Sequence, residues 1–349
     1  MMIDENLANS VTERIAIMGC GSGGSYLLRL LRQRRPQSQV TLFDWPSANA
    51  CGLKGCAWGL SRPLFEALCG GVGLTADKYF LGKYHHVLVN GRRLKADLAI
   101  IDKPAFIRDL TGSVPFHEPE TMNPGDFDRV IDATGYKRAF LPAVELCPVV
   151  YAVQIRLKAK TPQTPTAVLN PHGGYSWLFP AGSGEVHAGS LSPFGFDAAR
   201  QALKCITGGI AQDRAVCSCR GEIRCHGPAY PFVQGRIWGI GEAIGLVDPV
   251  TAAGIIPAMT SAKLLVENWD SEDDYSKAVL KKYGYMMKEA AALNHLMAGN
   301  LLSSSDIFLP KQALETIGLQ PNLFELMALA VQGAKDFLDN RAGKDKSPQ

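Results

Sequence analysis

The chain has 349 residues, 46% of them hydrophobic and 20% charged, with a formal net charge of +3. That length allows two or three substructures with real cores, the composition is that of a globular protein, and the charge is too small to point to nucleic acid. No apolar run reaches the ~18 residues that a membrane-spanning helix needs, and the odd count of nine cysteines reads mostly as thiols rather than a secreted disulfide framework.

The opening MMIDENLANSVTER lacks the basic start and apolar core of a signal peptide, so a cytosolic protein is expected, with peripheral bilayer contact left open. The clusters Arg32, Arg34, Arg35 and Arg92, Arg93, Lys95 read as solvated surface. The first predicted unit runs from Arg14 to Asp44. A short β-run, Ile15 to Met18, enters a glycine turn, and the apolar pattern Leu27, Leu28, Leu30, Leu31 predicts a helix behind it. Gly19, Gly21 and Gly24 have the spacing that allows a tight turn, close approach of backbone to a pyrophosphate, and close packing of helix on strand. The helix start supplies N–H groups and partial positive charge for phosphates. A second strand, Val40 to Phe43, ends in Asp44, whose carboxylate suits both hydroxyls of a ribose. These residues predict a dinucleotide site and leave open which dinucleotide.

The loop Ser47 to Ser61 follows, with Cys51 and Cys56. Their spacing does not fit a short zinc knuckle; a reactive thiol near a redox cofactor and an inert buried cysteine are both open readings. Arg62 to Tyr79 is expected to be mostly helical with glycine breaks, and HHVLVNGRRLKADLAIID reads as a hairpin turning at Asn90-Gly91. Lys103 to Leu110 predicts a short helix carrying Arg108, a candidate cofactor contact. In FDRVIDATG, the strand end delivers Asp132, Ala133, Thr134 and Gly135 to the edge where ligands of parallel sheets bind.

From Cys147 the pattern changes to consecutive β-runs, VVYAVQIRLKA, TAVLN, GYSWLFP and EVHAGSL, with no helical pattern before Asp197. They predict an antiparallel sheet inserted into the dinucleotide domain. RIWGIG then returns to a buried strand, and EAIGLVDPVTAAGII forms a second glycine-bearing turn, with Pro249 and Gly254, leading into a helix from about Ala253. Amphipathic helices are expected over 272–300, 311–317 and 323–340. The spacings among Cys205, Cys217, Cys219 and Cys225, with His226 nearby, match no common metal or iron–sulfur motif, and no metal is expected.

Four motifs in this order resemble the geranylgeranyl reductases within the p-hydroxybenzoate hydroxylase-like flavoproteins. Gly19 to Gly24 with Asp44 is similar to the family's ADP-binding start, KGCAWGLSRPLFEAL to its cysteine–glycine loop, YSWLFP to its prenyl-pocket signature, and GEAIGLVDPVTAAGI to its second flavin motif. The resemblance implies an α/β fold: a Rossmann-like FAD-binding domain (1–148 and 235–268), an inserted antiparallel substrate sheet (149–234) joined by hairpin 85–100, and C-terminal helices (269–349). It implies FAD contacts from Gly241, Glu242, Pro249, Gly254 and Ile255 beside those of the first turn, Arg108, Thr134 and Gly135. It also places Cys56 as a catalytic thiol near the flavin, and Tyr175, Trp177, Phe179 and Pro180 at an isoprenoid substrate. On its own, the aromatic alternation of Tyr175, Trp177 and Phe179 reads as a packed sheet face; with the resemblance it reads as an apolar wall. The implied activity is reduction of isoprenoid C=C bonds, with a ferredoxin or NAD(P)H as electron donor. A flavin monooxygenase or other FAD oxidoreductase on a small apolar substrate, and a non-catalytic isoprenoid-binding protein, are the alternatives.

Overall fold

A computed structural model describes residues 12–45, 57–144, 149–159, 162–171, 173–208, 215–298 and 310–322, together with 324, 325, 327 and 328. Cys51, Cys56 and most of the helix expected over 323–340 lie outside the described residues.

β1 (Arg14–Met18), α1 (Ser22–Arg34) and β2 (Gln39–Phe43) form the first unit, and β1 pairs parallel with β2 on one side and β7 (Arg129–Asp132) on the other. Adding β6 (Phe116–His117), β13 (Val233–Gln234) and β14 (Ile237–Gly239) gives a six-stranded sheet in the order β13-β14-β7-β1-β2-β6, parallel except at β13. Its central strands β1, β7 and β14 are buried on both faces, as expected of a parallel sheet, while the edge strand β6 is exposed. Ile15 and Ile17 meet Leu27 and Leu31 of α1, while Ala16 and Met18 meet Phe43 and Val130.

A second sheet has eight strands in the order β12-β8-β11-β10-β9-β4-β5-β3. It draws on two separate stretches of chain. One gives β3 (Gly59–Ser61), β4 (Phe80–Val89) and β5 (Arg92–Ile101). The other gives β8 (Val149–Lys158), β9 (Thr166–Leu169), β10 (Tyr175–Pro180), β11 (Glu185–Ser192) and β12 (Ala215–Arg224). The β4–β5 turn has φ of 48° at Asn90 and 75° at Gly91, the two positive values of a type I′ turn. Pairing is antiparallel throughout except where β4 runs parallel to β9 and joins the two stretches.

Helix α2 (Arg62–Gly71) packs on β3 and β5, α3 (Lys103–Thr111) lies against α1, and α4 (Phe196–Ile206) covers one face of the large sheet. α5 (Ile255–Glu267) packs beside α1. α6 (Glu272–Tyr283) is capped by the Ser271 hydroxyl and carries three acids in its first turn and two lysines in its last, which complements the helix dipole. The single helix expected over 272–300 is broken at Gly284, and α7 (Tyr285–Met297) continues after it. A side chain at Gly284 would stand 2.6 Å from the Leu280 carbonyl. α8 (Pro310–Thr316) closes the described part. No described helix is long and apolar enough to cross a membrane. The architecture is mixed α/β, with a Rossmann-like parallel sheet, a large mainly antiparallel sheet and C-terminal helices.

Candidate functional site

The first turn is built as its glycines require. Gly19 has φ +103°, and a Cβ there would lie 2.4 Å from the Ala133 carbonyl at the end of β7. A Cβ on Gly24 would lie 2.0 Å from the Gly19 carbonyl, so the helix start closes directly onto the backbone of the turn. Beside Gly21 there is open space, and no side chain caps α1. The N–H groups of that first helical turn therefore point at room for an anion. The Asp44 carboxylate accepts from Cys20 N–H at 3.2 Å and from its neighbour Trp45 N–H at 2.9 Å. It thus ties the end of β2 to the glycine turn.

The second turn lies alongside the first. Gly23 of α1 and Gly241 both face Ala258 of α5, with would-be Cβ distances of 3.4 and 3.0 Å. The Gly241 N–H donates to the buried Ser261 hydroxyl at 2.9 Å. Gly254 stands at the start of α5, again without a side-chain cap, followed by buried Ile255. Pro249 is buried in the turn between them. Gly135, with φ +69°, has its open side 3.2 Å from a Glu242 carboxylate oxygen, whose partner oxygen accepts from Arg224 N–H. The ends of β1, β7 and β14 thus bring Gly19, Gly21, Gly24, Thr134, Gly135, Gly241 and Glu242 to one edge.

Two sequence expectations are refined by this geometry. The Thr134 hydroxyl donates to Asp132 at 2.6 Å and accepts from Ala139 N–H, and its own N–H also donates to Asp132, so the residue holds its own loop. Arg108 is exposed on α3 and joins neither turn by a hydrogen bond.

Sequence reasoning missed the groups that fix the second turn. The buried Arg138 guanidinium donates to the carbonyls of Pro142, Ala229, Pro231 and Ala243. Asp248 is fully buried and accepts at Oδ1 from Val250 N–H, Thr251 N–H and the Thr251 hydroxyl. Its Oδ2 and both oxygens of buried Glu289 on α7 have no hydrogen-bond partner, and the two carboxyls perturb each other. Burial, then the charge of Asp248, pushes the Glu289 carboxyl up to about 9. An acid on a distant amphipathic helix gives no sequence signal for such a contact.

The aromatic row sits on β10. Tyr175 donates from its hydroxyl to the Thr251 carbonyl at 2.6 Å, which joins the row to the second turn. Trp177 is 3% exposed, and its ring lies across Gly189 of β11, 2.0 Å from where a Cβ would be. Phe179 packs on Gly59 of β3. Pro180 falls on the opposite face of β10 with Ser176 and Leu178, away from the row. The wall is also less apolar than expected: His187, opposite Phe179, is 1% exposed and lies tilted by 46° against Trp58, with ring centroids 4.1 Å apart. Burial and Arg156 lower its pKa to about 3, which keeps the ring neutral.

No family model matches the chain. A curated digeranylgeranylglycerophospholipid reductase from Thermoplasma volcanium is 28% identical over 135 residues, which is 36% of this chain and 34% of that protein. The match therefore spans about a third of either chain. Among solved structures, a geranylgeranyl bacteriochlorophyll reductase-like protein from Thermoplasma acidophilum aligns with a TM-score of 0.68 and 17% identity, over 92% of this chain and 96% of that one. A probable FAD-dependent monooxygenase from Pseudomonas aeruginosa aligns with a TM-score of 0.56 and 16% identity, over 82% and 97%. The chain shares the fold of these structures and, over the matched third, resembles the digeranylgeranylglycerophospholipid reductases.

Proposed function

We propose that the chain is an FAD-dependent oxidoreductase that saturates C=C bonds of an isoprenoid lipid of the geranylgeranyl type. The observation that carries this reading is the Tyr175–Thr251 hydrogen bond, which sets a row of three aromatics against the second of two adjacent uncapped helix starts. Such a pair of helix starts suits the two ends of one dinucleotide: pyrophosphate and ribose at Gly19, Gly21, Gly24 and Asp44, and the distal part at Gly241, Glu242, Pro249, Gly254 and Ile255. The curated relative and the first of the two solved structures carry reductase names, and the second is named for FAD.

FAD, when bound and reduced, supplies the hydride. This chain supplies position and dryness. An isolated alkene has no carbonyl to polarise, so alignment in a water-excluding site must provide much of the rate. Tyr175, Trp177 and Phe179 present that surface. Cys56, which lies outside the described residues, is the proposed source of the proton added to the second carbon. The parallel sheet and the large sheet serve as cofactor and substrate domains, and a ferredoxin or NAD(P)H is the proposed electron source.

The test is to purify the protein, record its visible spectrum, reduce it chemically without oxygen and add a geranylgeranyl lipid. Products heavier by hydrogen pairs are expected. Reoxidation without saturated product overturns the reading, and oxygen consumption coupled to hydroxylation replaces it with a monooxygenase. Cys56→Ser is expected to keep FAD and lose most reductase activity; full activity would remove Cys56 from the proton step.

A further inference from the structure

Among the described residues, nine buried side-chain nitrogen and oxygen atoms have no hydrogen-bond partner, and five of them lie on one face of the large sheet. They are Gln154 Oε1, Arg156 Nε, Trp177 Nε1, and Nδ1 and Nε2 of His187. The ladder register puts them side by side: Trp177 opposite Gly189, Gly189 opposite Gln154, and His187 opposite Arg156. Buried polar groups in native proteins are paired, so a cluster of unpaired ones on a single surface marks a place where something else makes the bonds.

The chemistry of the missing partner can be read from what the cluster offers. Trp177 and Arg156 each bring an N–H donor, Gln154 brings a carbonyl acceptor, and a neutral imidazole brings one of each. A partner must therefore both donate and accept. The Arg156 charge is already matched by Glu185, with Nε and Oε2 3.2 Å apart as an ion pair although the N–H is turned away from the carboxylate. No net positive charge is left for an anion, and a phosphate would meet the Gln154 carbonyl and the imidazole lone pair as acceptor against acceptor. Trp177 belongs to both this cluster and the aromatic row, so the two surfaces are continuous.

We infer that the substrate carries a neutral, hydroxyl-bearing head, which seats on Gln154, Arg156, Trp177 and His187 while its apolar chain runs along the aromatic row. This rests on the isoprenoid reading of the same site and adds its head-group class. The arrangement favours an isoprenoid alcohol over a diphosphate ester or a bare hydrocarbon.

The experiment uses the full chain with reduced flavin under anaerobic conditions and three probes of equal chain length: geranylgeraniol, geranylgeranyl diphosphate and the hydrocarbon without a head. Affinity is read from perturbation of the flavin spectrum, and saturation from product mass. The alcohol is expected to bind at least about tenfold tighter than either competitor, the order of effect of one or two buried hydrogen bonds. His187→Leu should lower the alcohol-to-hydrocarbon affinity ratio by about tenfold. Trp177→Phe keeps an aromatic ring in the row, removes the indole N–H, and should lower the same ratio by a smaller factor, which covers the case in which the His187 variant does not fold. Equal affinities for alcohol and hydrocarbon, preference for the diphosphate, or a ratio unmoved by both variants would overturn the head-group assignment and leave isoprenoid reduction standing. If none of the three binds to protein that holds flavin, the reductase reading falls and takes this one with it.

Discussion

The two faces of the large sheet come from the same strands and end differently. On one, Val153, Ile155, Leu157 and Ala188 close against Ala199 and Leu203 of α4, all apolar. On the other, the alternate residues Gln154, Arg156 and His187, with Trp177, are set inside the protein with polar atoms unmatched. The first face is finished by folding. The second is complete only with a guest, so period-two polarity along a strand marks a face without saying whether that face meets solvent.

This contrast can be broken most strongly on the packed side. Leu157→Ala, at 1% exposure, is expected to cost about 2–5 kcal/mol, read by denaturant unfolding. A cost well under that would mean the α4 face is loosely held. The pH dependence of stability probes the buried carboxyl pair behind the second turn. Glu289 titrates near 9 in the folded chain against an ordinary 4.5, so folded protein keeps a proton that unfolded protein releases. Its contribution to stability is full below that ordinary value, falls as pH rises through the window, and is gone above the folded value. Glu289→Gln keeps a donor toward Asp248 and should flatten that slope; an unchanged slope between those limits would place the proton elsewhere.

On the unmatched face the sign should reverse. His187→Leu removes two unpaired buried nitrogens and is expected to raise stability by about 1–3 kcal/mol while weakening the ligand. A destabilised variant would show that His187 is part of the packing. The smallest effect is expected at Ala252, whose φ of 53° lies in the left-handed region in the second turn. Ala252→Gly relieves ~1 kcal/mol of strain and gives back a similar amount in unfolded-chain entropy, so its melting temperature should hardly move.

The frame of the molecule was legible because its signals are local. Gly19, Gly21 and Gly24 after a β-run, Asp44 at the next strand end, and Asn90-Gly91 between alternating runs each specify geometry within a few residues. The rest depends on contacts between distant segments. Gln154 and His187 carry a polar signature that also describes a solvated strand face, and only the fold shows them covered. Glu289 reaches Asp248 across 41 positions, given by 289 − 248, and no periodicity anticipates that meeting. The break at Gly284 was not anticipated, because the apolar spacing on both sides of it suggested one continuous helix over 272–300.

The hydroxyl of Tyr175 has a consequence beyond architecture. Because it grips the backbone of Thr251, any rearrangement of β10 on loading must be transmitted to the loop that precedes α5, and the reverse holds as strictly. If cofactor and lipid load as proposed, filling of one site would be felt at the other through this bond, and Tyr175→Phe is expected to weaken that linkage.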